Sequence, residues 1–476
     1  MSKTDKTTPV NQAPTADGGE SGKSSNSGSA VSYDAHAVAA GAEAAGADAA
    51  GADAAQNPSD LHSSGSTPPA AERGVSRRGL IGGALAGVGL VGVAAGSGVT
   101  AAVLNNRSAS PAPGSGSGFG SGQPFGKETI SCHGKHQAGV ATAVTAHSRY
   151  LAFNLSDSTN ADAIRRMLTV LTADIESLTS GQGPIADSEP ELAENPARLT
   201  VTVGFGPELV NRVNPAARPD WLGPLPRFNR DQLGAGYDDG DLLIAIASDD
   251  PLTVAHAARM LSKSLRSFAS LVWRQDGFRR AHGSEPDGAT MRNLMGQVDG
   301  TVNPRPNDDD YSDLVWLQKS AGWLAGGSAM VFRRIRMELD TWDQVDKPGR
   351  ENSIGRDIAV GAPLTGTKEF DEPDFTAKNE LGLPIIHAAS HIARARSSDP
   401  NERIYRRVYN YDDSTDQGLL FICYQRNPLE QFVPIQRRLD QLDLLNTWIT
   451  HTGSAVFAIP PGWEPGGMLG ETLFAS

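Results

Sequence analysis

Cysteine is scarce. Only Cys132 and Cys423 occur in 476 residues, and they form neither CxxC nor CxxCH, which excludes a zinc ribbon and thioether attachment of a cofactor. One disulfide between them would need an oxidising compartment. Cys423, however, lies in the apolar run Leu419–Cys423 and reads as a buried free thiol. An excess of basic charge is also missing. Lys and Arg total 42 against 55 Asp and Glu, for a net charge of −13, and without clustered cations nucleic acid is excluded as a partner. The acidity fits the solubility of an exported protein. Aromatics are nearly absent from residues 1–72, where Tyr33 is the one Phe, Trp or Tyr among Ala, Gly, Ser, Asp and Pro. Such a segment buries too little apolar surface to offset its ordering entropy, so 1–72 is expected to be disordered.

A long charge-free apolar stretch runs from Gly79 to Leu104. It follows Ser76-Arg77-Arg78-Gly79-Leu80-Ile81, and a twin arginine before a weakly apolar run resembles a Tat signal, placed at 73–104. A retained transmembrane anchor is the competing reading, because the run is about long enough to span a bilayer. Export followed by cleavage between about Ala94 and Ala102 is favoured, giving an extracellular, cell-envelope or periplasmic protein that uses the Tat export machinery. The long stretch before the arginines is unusual for a signal and is consistent with a start codon assigned too far upstream. A Ser/Gly/Pro linker follows at 105–126.

The remainder suits two units, 127–290 and 291–476. Strand-like runs occur at Leu199–Val203, Leu242–Ala247, Ala329–Met337 and Leu419–Tyr424. Helical periodicity is carried by Ile164, Met167, Leu168 and Leu171, by the segment Leu252–Leu271, and by Gln436–Ile449 with Leu439, Leu442, Leu445 and Trp448. Strands interleaved with long helices in each half imply an α+β sandwich used twice.

Three segments can carry chemistry. In Gly296-Gln297-Val298-Asp299-Gly300-Thr301, the Asp-Gly pair by itself reads as a solvated turn. In Pro384–Arg394, His387 and His391 stand at i and i+4 and could share a helix face toward a metal. In Ile404–Tyr411, Arg406 and Arg407 read as a strand edge, while Tyr405, Tyr409, Tyr411 and, further on, Trp448 read as core.

Taken in order, these segments resemble the dye-decolorising peroxidases. GxxDG followed by Thr301-Val302-Asn303-Pro304 is similar to that family's signature. His391 matches the context of its axial histidine better than His387 does, and Tyr405–Tyr411 is similar to its Arg-Arg-x-Tyr-x-Tyr segment. Cys132–Val140 looks like the opening strand and His451–Gly462 like the closing one, so His133 and His136 are expected to be structural. Two positions depart from the pattern: Ala393 stands where Arg is frequent, and Val408 where Gly, Ser or Asn is usual.

The resemblance implies two ferredoxin-like halves with antiparallel sheets in a dimeric α+β barrel of the chlorite dismutase-like kind, the second half carrying the haem site. It implies one haem b (iron protoporphyrin IX) per chain, with His391 as the iron ligand and Gly300 and Thr301 beside the cofactor. Asp299 would be the distal acid-base and Arg406 the distal arginine, also placed to hold a haem propionate, with Arg407 the less favoured candidate. The expected activity is oxidation of dyes, phenols or other small aromatic electron donors by hydrogen peroxide. A carboxylate base, at an ordinary pKa of about 3.9 against about 6.5 for imidazole, stays ionised in acid, so activity is expected to peak well below neutral pH. The axial imidazole needs an acceptor for its other ring nitrogen, and no residue is singled out for that role. Two alternatives stand beside this reading: a deferrochelatase that releases iron from haem alongside iron-uptake partners, and a non-catalytic exported haem-binding protein. Homo-oligomerisation is left open.

Overall fold

The computed structural model describes residues 124–476. The expected disordered segment, the Tat signal and nearly all of the linker lie outside the described residues. Among the described residues, no helix is long and apolar enough to cross a membrane.

The first group of elements comprises strand β1 (His147–Leu155), helix α1 (Ala161–Thr179), strand β2 (Thr200–Phe205), helix α2 (Pro207–Val213), strand β3 (Leu242–Ser248), helix α3 (Pro251–Leu265) and strand β4 (Ala269–Phe278). The second comprises α4 (Tyr311–Val315), β5 (Ser328–Met337), α5 (Leu339–Trp342), α6 (Lys347–Ile354), α7 (His391–Ala395), β6 (Tyr405–Arg406), β7 (Tyr409–Asp412), β8 (Gln417–Gln425), α8 (Phe432–Leu442) and β9 (Ile449–Ile459).

Hydrogen bonding orders the first four strands β2-β3-β1-β4, all antiparallel. The later strands run β9-β5-β8-β7, so each group has the β-α-β-β-α-β order of a ferredoxin-like sandwich. The two sheets close on each other at two narrow seams. β2 meets β9 through Phe205↔Ala458, and β4 meets β7 through Phe278↔Asn410.

A side chain reinforces the first seam. The Gln137 amide donates to Val203 O and Pro460 O, both at 3.0 Å, while its oxygen accepts from Val203 N at 2.8 Å. Cys132–Val140 is thus a run of turns rather than the expected opening strand, and Gln137 stands in for a strand partner. His136 stacks on Trp316 at 3.8 Å and its Nδ1 pairs with Gly326 O at 2.6 Å, a structural use.

Alternation along the strands divides the side chains between two layers. Tyr150, Leu243, Trp273, Phe332, Ile422 and Phe457 fill the space between the sheets. Leu151, Phe153, Val203 and Ile244 face outward against α1 and α3. Each such fully buried side chain contributes about 1.5–3 kcal/mol. α1 starts where Asn160 Oδ1 accepts from Ala163 N at 3.0 Å, and it buries the anticipated Ile164, Met167, Leu168 and Leu171.

Two helical readings need correction. The Leu252–Leu271 segment is helical only to Leu265; β4 begins at Ala269, and Leu271 is an exposed strand residue. The Gln436–Ile449 segment ends its α-helix at Leu442, which is exposed, because Asp443 is extended at φ −71° and ψ 127° and caps a new 3-10 turn, Leu444–Thr447. Both cysteines are buried free thiols.

Candidate active site

The GxxDG segment is a self-folded loop between β4 and α4. Gly296 adopts φ 81°, and Asn293 Oδ1 accepts from Met295 N at 3.1 Å and Gln297 N at 3.2 Å. Asp299 N donates to Met291 O at 2.8 Å, which fixes the backbone that carries the carboxylate. Gly300 follows at φ 135°, a conformation that excludes other L residues. Thr301 Oγ1 donates to Glu369 Oε1 at 3.0 Å, and Thr290 Oγ1 donates to the same oxygen at 2.6 Å.

Arg406 reaches this loop from β6. Its Nη1 donates to Asp299 Oδ1 at 2.9 Å, and the two side chains are only 20% and 14% exposed. Asn293 Nδ2 makes a longer contact, 3.4 Å, with the other oxygen of Asp299. Asn303, from the Thr-Val-Asn-Pro run, clamps the main chain of Arg406. Its Nδ2 donates to Arg406 O at 2.9 Å and its Oδ1 accepts from Arg406 N at 2.7 Å. Arg407 points the other way, into the barrel, where it is buried and donates to Thr142 O. The structure therefore pairs Arg406, not Arg407, with Asp299.

His391 opens α7. Gly355, at φ 89°, lets the end of α6 pack against this turn: a Cβ there would stand 2.6 Å from Ile392 Cγ1 and 2.9 Å from Ser390 Oγ. His391 Nδ1 donates to Asp443 Oδ2 at 2.6 Å, and Asp443 is itself buried. Burial of the ring works to lower its pKa, but the charge and hydrogen bond of Asp443 outweigh that and hold the imidazole above its usual range. Asp299 and Arg406 also act on this ring by charge, with opposite signs, so all three residues belong to one electrostatic neighbourhood. His387 does not share the helix. It is exposed in the preceding turn, and its Nδ1 accepts from Ala389 N at 3.1 Å.

Asp443 was missed by sequence reasoning because it sat inside an assumed helix. The signal was present: Asp followed by Leu-Leu-Asn is an N-cap pattern, and Asp443 Oδ1 indeed accepts from Leu445 N at 3.0 Å.

The donor set fits a haem. With Nδ1 held by a carboxylate, Nε2 is left free and would be the nitrogen available to an iron. Among the described residues, no cluster of three or more His, Cys, Asp or Glu would hold a metal. A haem iron, which brings its own porphyrin nitrogens, would need only one such imidazole from the chain. Such a donor set in a closed α+β barrel defines a haem-using oxidoreductase class.

Comparison with known proteins gives the family. Models described as Dyp-type peroxidase, N-terminal, and Dyp-type peroxidase, C-terminal, match residues 137–279 and 290–464. A dye-decolorizing peroxidase of Thermobifida fusca is 34% identical over 437 residues, covering 86% of this chain and 99% of the relative. A deferrochelatase of Yersinia pestis is 32% identical over 365 residues, covering 71% and 82%. The crystal structure of a DyP-type peroxidase from Cellulomonas bogoriensis is 48% identical with TM-score 0.73, covering 74% of this chain and all of that one. The chain belongs to the Dyp-type peroxidase family, whose members are haem enzymes, and is a peroxidase that uses hydrogen peroxide to oxidise electron donors.

Proposed function

We propose that this peroxidase binds one haem b per chain through His391 Nε2, with Gly300 and Thr301 beside it, and that Asp299 and Arg406 act on peroxide from the other side. The 2.9 Å pairing of Arg406 with Asp299, within electrostatic reach of His391, is the observation that supports this reading. When bound, the haem would supply the two electrons that O–O cleavage takes and would recover them one at a time from donors.

The chain's own residues handle protons and charge. The Asp299 carboxylate accepts the proton of the near peroxide oxygen and returns it to the far oxygen, so that water leaves as the O–O bond breaks. The Arg406 guanidinium stabilises negative charge on the departing oxygen. Asn303 holds Arg406 at its main chain, and Asn293 steadies the second oxygen of Asp299. Asp443 fixes the orientation and tautomer of His391, leaving Nε2 to ligate.

Dyes, phenols and other small aromatic donors are the substrates we infer. The distal pair supports peroxidase turnover over a non-catalytic carrier role, because a carrier has no use for a carboxylate and a guanidinium held together. Release of iron from haem, the role carried in the name of the Yersinia relative, is the second reading. Export by the Tat route is inferred from Ser76–Ile81 and Gly79–Leu104. The deciding experiment is an absorption spectrum of purified protein before and after one equivalent of peroxide, followed by a dye donor and by assay for metal-free protoporphyrin. A Soret band that changes with peroxide and returns with donor supports the proposal; a peroxide-inert band, or free protoporphyrin without donor oxidation, overturns it.

A further inference from the structure

Arg406 and Arg407 are consecutive, yet only the first meets a carboxylate. Arg407 is 3% exposed inside the barrel, and no Asp or Glu of the described residues lies within ion-pair distance of it. A guanidinium carries five N–H donors. One of these goes to Thr142 O, and the phenol of Tyr405 sits against the group. Arg279, lying over the Tyr409 ring at 5.1 Å, adds a second cation, and Asp299 is already engaged by Arg406. A buried charge left without a counter-charge is costly in a low-dielectric interior.

The same place holds a cavity of about 10 Å³, lined among others by Arg407, Tyr150, Tyr409, Tyr424 and Thr200. That is room for about one water-sized particle. The Tyr409 hydroxyl is buried in this wall with no hydrogen-bond partner among the described residues. At the edge of the cavity, a Cβ on Gly139 would stand 2.1 Å from Thr202 Oγ1, so a side chain is excluded there.

We infer that the barrel interior binds a single small monoanion, chloride in solution, between the Arg407 guanidinium and the Tyr409 hydroxyl. The site offers donors and positive charge with no carboxylate to repel an anion, and its size excludes a carboxylate, phosphate or aromatic ligand. It lies on the opposite face of the Arg406–Arg407 strand from the Arg406–Asp299 pair.

The test uses the holoenzyme. Crystals grown without chloride are soaked in sodium bromide, and anomalous scattering is recorded at the bromine edge. A peak within hydrogen-bonding distance of Arg407 and the Tyr409 hydroxyl is expected; an ordered water there without anomalous signal overturns the proposal. In parallel, the melting temperature in chloride is compared with that in gluconate of equal ionic strength, the Soret band reporting any halide at the iron. A higher melting temperature in chloride, without a Soret change, should vanish in Arg407→Gln. Should that variant fail to fold, Tyr409→Phe should raise the chloride concentration for the half-maximal shift about fivefold, as for one lost hydrogen bond. A chloride response unchanged in either variant overturns the site.

Discussion

His391 and Asp443 are joined by a 2.6 Å hydrogen bond, Nδ1 to Oδ2, across 52 residues of chain. In the proposed site the carboxylate charge would make the imidazole a stronger donor to iron. Asp443→Asn keeps an acceptor for His391 and for Leu445 N but removes the charge. It should raise the haem midpoint potential and lower turnover by about 10- to 100-fold. Spectroelectrochemistry and steady-state rates check this; an unchanged potential would show that Asp443 acts only as a helix cap.

Asp299→Asn should leave haem content and the Soret band intact while slowing the peroxide step by about 10²–10⁴-fold, the usual weight of a positioned acid-base. Stopped-flow mixing with peroxide measures this directly. A variant that reacts at the wild-type rate would remove Asp299 from the mechanism.

His391→Ala should abolish or sharply weaken haem binding, whereas His387→Ala should bind haem as the wild type does, because His387 is exposed and bonded only to its own turn. Haem titration of the two proteins, followed at the Soret band, separates these outcomes.

Asn303→Ala removes both hydrogen bonds to the Arg406 main chain, the 2.7 Å and 2.9 Å contacts, and each is worth about 1 kcal/mol net. The peroxide step should slow about tenfold with haem affinity retained. Loss of stability with an unaltered rate constant would mean that Arg406 is placed by its strand alone.

A buried polar cluster sets a stability profile. Arg333 donates to Asp231, and to His451 Nδ1 at 2.5 Å. Burial, with help from the Arg333 charge, outweighs the pull of the nearby Asp231 carboxylate and holds His451 below the ordinary imidazole range. Burial opposes ionisation of Asp231, but the adjoining His451 ring and the paired Arg333 guanidinium hold the carboxyl below its ordinary range. Both depressions mean that the unfolded chain binds more protons, so stability is greatest above each unfolded value and falls as pH drops through the folded one. The His451 contribution declines below about pH 6.5 and that of Asp231 below about pH 3.9. His136, also lowered by burial, pulls the same way as His451. The holoenzyme melting temperature should therefore fall from pH 7 to pH 5, and His451→Gln should flatten that slope in part.

Much of the framework was legible in the chain. The strand runs at Leu242–Ala247 and Leu419–Tyr424 lie within β3 and β8, and the periodicity beginning at Ala161 marks α1. The errors fall where an apolar residue serves a different element. Leu271 continued a helical period on paper but lies on a strand, and Leu442 is the exposed end of α8 rather than part of its buried face. Periodicity counts apolar positions and cannot tell which side of a neighbouring element they will meet.

Sequence alone determined the family and the α+β alternation and picked out the three segments proposed to carry chemistry, because local pattern and ordered motifs are properties of neighbours along the chain. Tertiary structure alone decided which groups meet. It set Asp443 against His391, Asn303 against the backbone of Arg406, and Gln137 across the β2–β9 seam. It also turned Arg406 toward Asp299 and Arg407 toward the tyrosines of the barrel. These pairings join residues far apart in the chain. Which donor finds which acceptor follows from barrel closure and the alternating faces of a strand, and no local propensity encodes that.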